Sequence, residues 1–188
     1  MFIQTEATPN PATLKFLPGR EVMGEAGVAD FPDKESAARS PLARALFEIP
    51  EVARVFFGSD FISVTKSDGD WRNLKAPVLG AIMDHFTRGL DLLEGGAAET
   101  SDDDVAYAEG DAEIVDQIKE LLDTRVRPAV AGDGGDIIFK GFDGGSGVVF
   151  LHLRGSCAGC PSSTLTLKNG IENMLRHFIP EVNAVEAV

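Results

Sequence analysis

The sequence predicts an α+β protein: two small α+β domains joined by an acidic flexible linker. Three observations lead there. Hydrophobic residues make up 44% and charged residues 25% of the 188 positions, an ordinary globular balance. Charge is uneven, with nine carboxylates and no Lys or Arg between Glu94 and Asp116. On either side of that stretch, short apolar runs alternate with segments of helical period. The expected domains are residues 1–93 and 111–188, with 94–110 as the linker. The part from Gly95 to Gly110 has too little apolar surface to offset the entropy of ordering it.

The first domain opens on two short strands, Phe2-Ile3-Gln4-Thr5 and Leu14-Lys15-Phe16-Leu17, around the turn-rich Pro9-Asn10-Pro11. Ser40-Pro41 marks a helix start, with Ser as N-cap and Pro at the first helical position. Leu42, Leu46 and Ile49 form its apolar face, and Pro50 ends it. Val52 to Phe57 and Phe61 to Lys66 form a hairpin around Gly58-Ser59-Asp60, with Phe56 and Phe57 expected in the core. A second helix runs from Trp71 or Leu74 to Gly89. Its expected buried stripe is Leu79, Ile82, Met83, Phe86 and Leu90. Nothing in this domain has catalytic spacing.

In the second domain Asp111 is the expected N-cap of a helix that buries Ile114, Ile118, Leu121 and Leu122. Arg125 and Arg127 suit its negative end and Pro128 stops it. Asp133-Gly134-Gly135-Asp136 is a turn into a strand, Ile137 to Phe142. Asp143-Gly144-Gly145 turns into its partner, Val148 to Leu153, with Val149, Leu151 and Leu153 on one face. A long helix follows, with Leu167, Ile171, Met174, Leu175 and Phe178 on its apolar side. The Val-rich end, 182–188, adds an edge strand.

Composition excludes several functions. Lys plus Arg number 17 against 30 Asp plus Glu, a formal charge of −13. That charge opposes binding to a polyphosphate backbone, so no nucleic-acid partner is expected. No run approaches the roughly 18 apolar residues of a membrane span. The N-terminus has no secretory signal and no Arg-rich transit character.

The chain has two cysteines, Cys157 and Cys160, in Gly155-Ser156-Cys157-Ala158-Gly159-Cys160-Pro161. A CxxC in such a chain reads as metal-binding or redox-active rather than as a structural disulfide. It falls where a strand hands over to a helix, with Pro161 at the first helical position and Cys160 as N-cap. The orphan N–H groups and dipole at that end favour thiolate. Small neighbours leave room for a bulky inorganic group. Structural zinc takes four ligands and iron–sulfur clusters about four thiolates, whereas one chain offers two. None of His85, His152 and His177 stands at ligand spacing, so a metal centre calls for two chains. The alternative is a thiol–disulfide oxidoreductase. Against it, the motif comes late in the chain and has Ala-Gly rather than a proline inside it. Asp133 and Asp136 read as turn residues rather than paired acid–base carboxylates.

The C-terminal segments Ile118 to Arg125, Arg127-Pro128, Asp133 to Asp136, Gly155 to Ser163, Leu167 to Ile171 and Ile179 to Val182 resemble the NifU-like (Nfu) C-terminal domain. Phe2 to Thr5, Pro9 to Pro11, Leu14 to Phe16, Ser40 to Ala43, Phe56 to Gly58 and Asp60 to Ile62 resemble the Nfu N-terminal domain. The resemblance implies a non-catalytic iron–sulfur scaffold or carrier. It implies a 4Fe–4S cluster held between two protomers, with Cys157 and Cys160 as cluster and metal ligands. It also implies upstream cluster assembly proteins as suppliers and apo iron–sulfur proteins as recipients, lipoyl synthase and aconitase-type enzymes among them. Arg154 and Lys168, flanking the CxxC, are candidates to offset the charge of a bound cluster.

Overall fold

The computed structural model describes residues 1–95, 106–155 and 161–188. The middle of the expected linker and both cysteines therefore lie outside the described residues. The chain divides into two compact units, Met1–Thr100 and Ser101–Val188. Both combine helices with a sheet, as the α+β expectation requires.

The first unit holds a five-stranded antiparallel sheet in the order β1-β2-β5-β4-β3. Its strands are β1 (Gln4–Ala7), β2 (Thr13–Leu17), β3 (Ala29–Phe31), β4 (Val52–Phe57) and β5 (Ile62–Lys66). The helix α1 (Pro41–Phe47) starts as its sequence dictates: the Ser40 hydroxyl accepts the Ala43 N–H at 3.1 Å, and Pro41 needs no N–H partner there. Leu42 and Leu46 of α1 join Phe16, Val55, Phe57, Ile62 and Val64 in one core. Burying each such side chain contributes about 1.5–3 kcal/mol. Phe56 and Phe57 are both buried, as expected.

Two expectations shift. The strand placed at Phe2 to Thr5 begins at Gln4, and Phe2 is exposed. In α2 (Trp71–Arg88) the buried residues are Leu74, Val78, Ile82 and His85, whereas Met83 and Leu90 lie open to solvent. Ile82 is buried as expected and Leu79 and Phe86 pack half-buried against the core, so the buried face is rotated from the expected one rather than exchanged for it. Both stripes have helical spacing, and only the position of the sheet decides between them. The one it selects carries a histidine where a purely apolar reading places none.

The second unit is built on three strands in the order β6-β7-β8. β6 (Gly135–Asp143) and β7 (Val148–Gly155) form an antiparallel hairpin, and β8 (Ala184–Ala187) adds to β7 in parallel. On β7, Val149, Leu151 and Leu153 are buried as expected. The helix α5 (Pro161–Phe178) buries Ile171 and Leu175, with Leu167 and Met174 partly covered and Phe178 exposed.

The helix expected to stop at Pro128 does not stop there. α3 (Ala112–Leu121) runs into a π-helical segment, Leu122–Val126, and then into α4 (Arg127–Gly132). The Arg127 N–H donates to the carbonyl of Leu122, five residues back. Ile118, Leu122, Val126 and Val130 are all buried, spaced four apart. In a plain α-helix each four-residue step drifts about 40° off a face, and the wider π turn takes up part of that drift. Pro128 then falls in the first turn of α4, where its missing N–H costs little. Asp111 precedes α3 but makes no capping bond; its carboxylate lies against Gly144, where no Cβ fits.

His85 yields a pH prediction. It is 3% exposed, and its Nε2 has no hydrogen-bond partner. Burial holds its pKa below the usual 6.5, against the opposing pull of Asp84 and Asp91. The unfolded chain therefore binds the proton more readily than the folded one. Stability of this unit is full above pH 6.5 and falls as pH drops through that value toward the lower folded pKa. Urea unfolding read by Trp71, the chain's single tryptophan, gives a midpoint that declines from pH 7 to pH 5. In His85→Leu the part of that decline due to this residue disappears.

Candidate functional site

Gly155 is the last residue of β7 and Pro161 the first of α5, so the segment carrying Cys157 and Cys160 spans from a strand end to a helix start. The expectation that Cys160 caps that helix falls outside the described residues. Gly155 takes φ of +66°, a left-handed conformation that other residues adopt only at a cost. Across the ladder it pairs with Gly135, and Asp136 pairs with Arg154. The Asp133–Asp136 run is therefore brought beside the entry to the cysteine segment, with Gly134 at φ +83° making the turn into β6.

Asp136 is not one of a pair of working carboxylates. Its side chain is 6% exposed and accepts two bonds from Arg127, Nε to Oδ1 at 3.0 Å and Nη2 to Oδ2 at 3.0 Å. Arg127 also reaches Asp123 Oδ1 at 3.2 Å, one turn earlier. The bond to Asp136 holds the guanidinium pKa above its ordinary value, against the burial that opposes it. The helix-end role expected for Arg125 and Arg127 is thus replaced: Arg127 forks onto β6, and Arg125 stacks over Phe178 at 4.8 Å. The pairing spans nine residues and depends on the π turn, so no local sequence signal announces it.

The remaining candidates are not drawn into a metal site. His152 donates from Nδ1 to the Val188 carbonyl at 2.7 Å, tying β7 to the C-terminus. His177 is exposed and meets Phe178 edge-on. His85 lies in the other unit. Arg154 is half-buried in the ladder and Lys168 half-buried on α5. Among the described residues no three His, Cys, Asp or Glu side chains converge as a metal site. A metal centre in this chain would have to draw on residues outside that set, where both cysteines lie. No described helix is long and apolar enough to cross a membrane.

Comparison with known proteins agrees with this layout. Residues 3–89 match the family model described as "Scaffold protein Nfu/NifU N terminal", and residues 118–186 match the "NifU-like domain". The chain is 54% identical over 190 residues to the human "NFU1 iron-sulfur cluster scaffold homolog, mitochondrial", covering 100% of this chain and 72% of that protein. The chain belongs to the NifU-like (Nfu) family. It is also 55% identical to "NifU-like protein 4, mitochondrial" of Arabidopsis thaliana, over 99% of this chain and 65% of that protein. A third relative, the "NFU1 iron-sulfur cluster scaffold homolog, mitochondrial" of Drosophila ananassae, is 51% identical over 100% of this chain and 64% of its own length. This NifU-like chain thus spans slightly under two thirds of the Arabidopsis and Drosophila proteins it matches.

Two glycines near the site predict opposite effects. Gly155→Ala forces a Cβ into the left-handed region and costs about 1 kcal/mol. Gly170, in α5 with open space around its missing Cβ, gains about 1 kcal/mol as Ala. Hydrogen exchange of the slowest β6 and β7 amides in the full chain reads both changes.

Proposed function

We propose that this chain is an iron–sulfur cluster scaffold and carrier, without catalytic residues of its own. Its cargo is a 4Fe–4S cluster bound by Cys157 and Cys160 and completed by the same two thiolates of a second copy. The observation that carries this reading is that these are the only cysteines in a chain of the NifU-like family. Its relatives' names support the same class of role, since the human one is called an iron–sulfur cluster scaffold homolog.

The mechanism is ligand exchange. A cluster held by two thiolates per protomer at an exposed boundary is open to attack by an acceptor's thiolates, one position at a time. Each replacement keeps the iron four-coordinate while the cluster moves across. The residues around the cysteines in the sequence, Gly155, Ser156, Ala158 and Gly159, are small, as such an exchange would require. Upstream assembly proteins load the cluster, and apo iron–sulfur proteins receive it, with lipoyl synthase and aconitase-type enzymes as the proposed recipients. Residues 1–93 serve partner choice, and 94–110 act as a charged spacer that leaves 111–188 free to reach its partners. The compartment is the cytoplasm of a bacterium or the mitochondrial matrix of a eukaryote.

Anaerobic reconstitution with ferrous iron and sulfide tests this. The wild type is expected to develop broad visible absorption from thiolate-bound iron, with about two irons and two sulfides per chain. Cys157→Ser and Cys160→Ser each lose it. Mixed with an apo aconitase-type enzyme, the loaded protein restores activity faster than free iron and sulfide do. A colourless wild-type protein that cycles a Cys157–Cys160 disulfide against a dithiol would instead establish the oxidoreductase.

A further inference from the structure

Every residue that fixes the end of β7 also fixes one root of the cysteine segment, because Ser156 follows Gly155 directly. The last pair of the β6–β7 ladder is Gly135 with Gly155, which has no cross-strand side-chain contact to offer. The pair before it is Asp136 with Arg154, and Asp136 carries the two-toothed bond from Arg127. The guanidinium fork is planar and rigid, so two parallel bonds fix the carboxylate's orientation as well as its position. Arg127 is in turn held by Asp123 and by the π-helical segment that sets where α4 begins. Single-turn π bulges inside helices are frequent at functional sites.

We propose that Arg127 is a positioning residue for the cluster-binding segment. Through Asp136 it locks the first residues of β6, and through the Gly135–Gly155 pair it holds the strand end from which Cys157 and Cys160 extend. The strand end that leads into Cys157 and Cys160 is thereby set by residues already in place in the single chain. This rests on the scaffold reading above, in which Arg127 is not itself a ligand.

The experiment uses the full chain with Arg127→Lys, which keeps the charge and loses the fork, and Asp136→Asn, which keeps the shape and loses the charge. In the apo proteins, amide exchange over residues 153–162 is expected to rise about tenfold more than at Val149 to Leu151. In the reconstituted proteins, loss of the cluster to a ferrous chelator is expected to quicken about tenfold, the lower end of what outer-shell partners of metal ligands contribute. Wild-type rates in Arg127→Lys overturn the proposal, since charge alone would then suffice. A rise in exchange shared equally along β6, β7 and β8 also overturns it, because the fork would then serve general stability. Should the wild type itself take up no cluster, the scaffold reading fails, and the exchange data decide the positioning role on their own.

Discussion

The C-terminal unit depends on the pairing of β6 with β7. The two strands bond from Asp143–Val148 at the turn to Gly135–Gly155 at the open end, with one shift in register between Phe139 and Gly141. One face of that ladder supplies Ile137, Phe139, Val149, Leu151 and Leu153 to the core shared with α3, α4 and α5. The outer edge of β7 accepts β8, and a bridge from Ala106 lies against β6 at Gly141. The open end delivers the chain to the cysteines. The turn at the closed end is stiffened by Asp143, which accepts from the Gly145 N–H and the Ser146 hydroxyl and whose pKa those bonds lower. One hairpin thus supports the core along its length and leads into the cysteine segment at its open end.

The chemistry is sparse by comparison. A scaffold needs soft ligands, an incomplete coordination shell and access for an acceptor, and it needs no general acid, base or oxyanion site. In the second unit Asp136 is engaged by Arg127, and His152 by the Val188 carbonyl. The incompleteness lies in the count of cysteines. Two thiolates leave half of a four-ligand shell open, and a second copy is the simplest source of the other half. In the proposed carrier, net negative charge along the chain would set a cost on bringing two copies together, which cluster binding would have to outweigh.

Local signals were legible. Ser40-Pro41, the hairpin from Val52 to Lys66, the alternation on β7 and the CxxC before Pro161 each depend on residues within a few positions of one another. What depended on distant packing was not. The buried face of α2 is ambiguous in the sequence because both candidate stripes have helical spacing, and no local pattern marks His85 for burial. Pro128 read as a stop because proline ends most helices, while here a π turn just before it puts proline in a first turn. The Arg127–Asp136 fork was invisible for the same reason, since both residues had plausible local readings as a helix-end cation and a turn carboxylate. The cysteines themselves were identified from sequence and resemblance, not from their surroundings.

The most direct test of the shared-cluster account is native mass spectrometry of the anaerobically reconstituted protein. The account predicts one dominant species of two chains, each of 20.0 kDa, plus the mass of a single 4Fe–4S cluster, which collapses to bare single chains when the cluster is removed by acid. A single chain that carries a complete 4Fe–4S cluster by itself would contradict it, because the missing ligands would then have to come from within the chain.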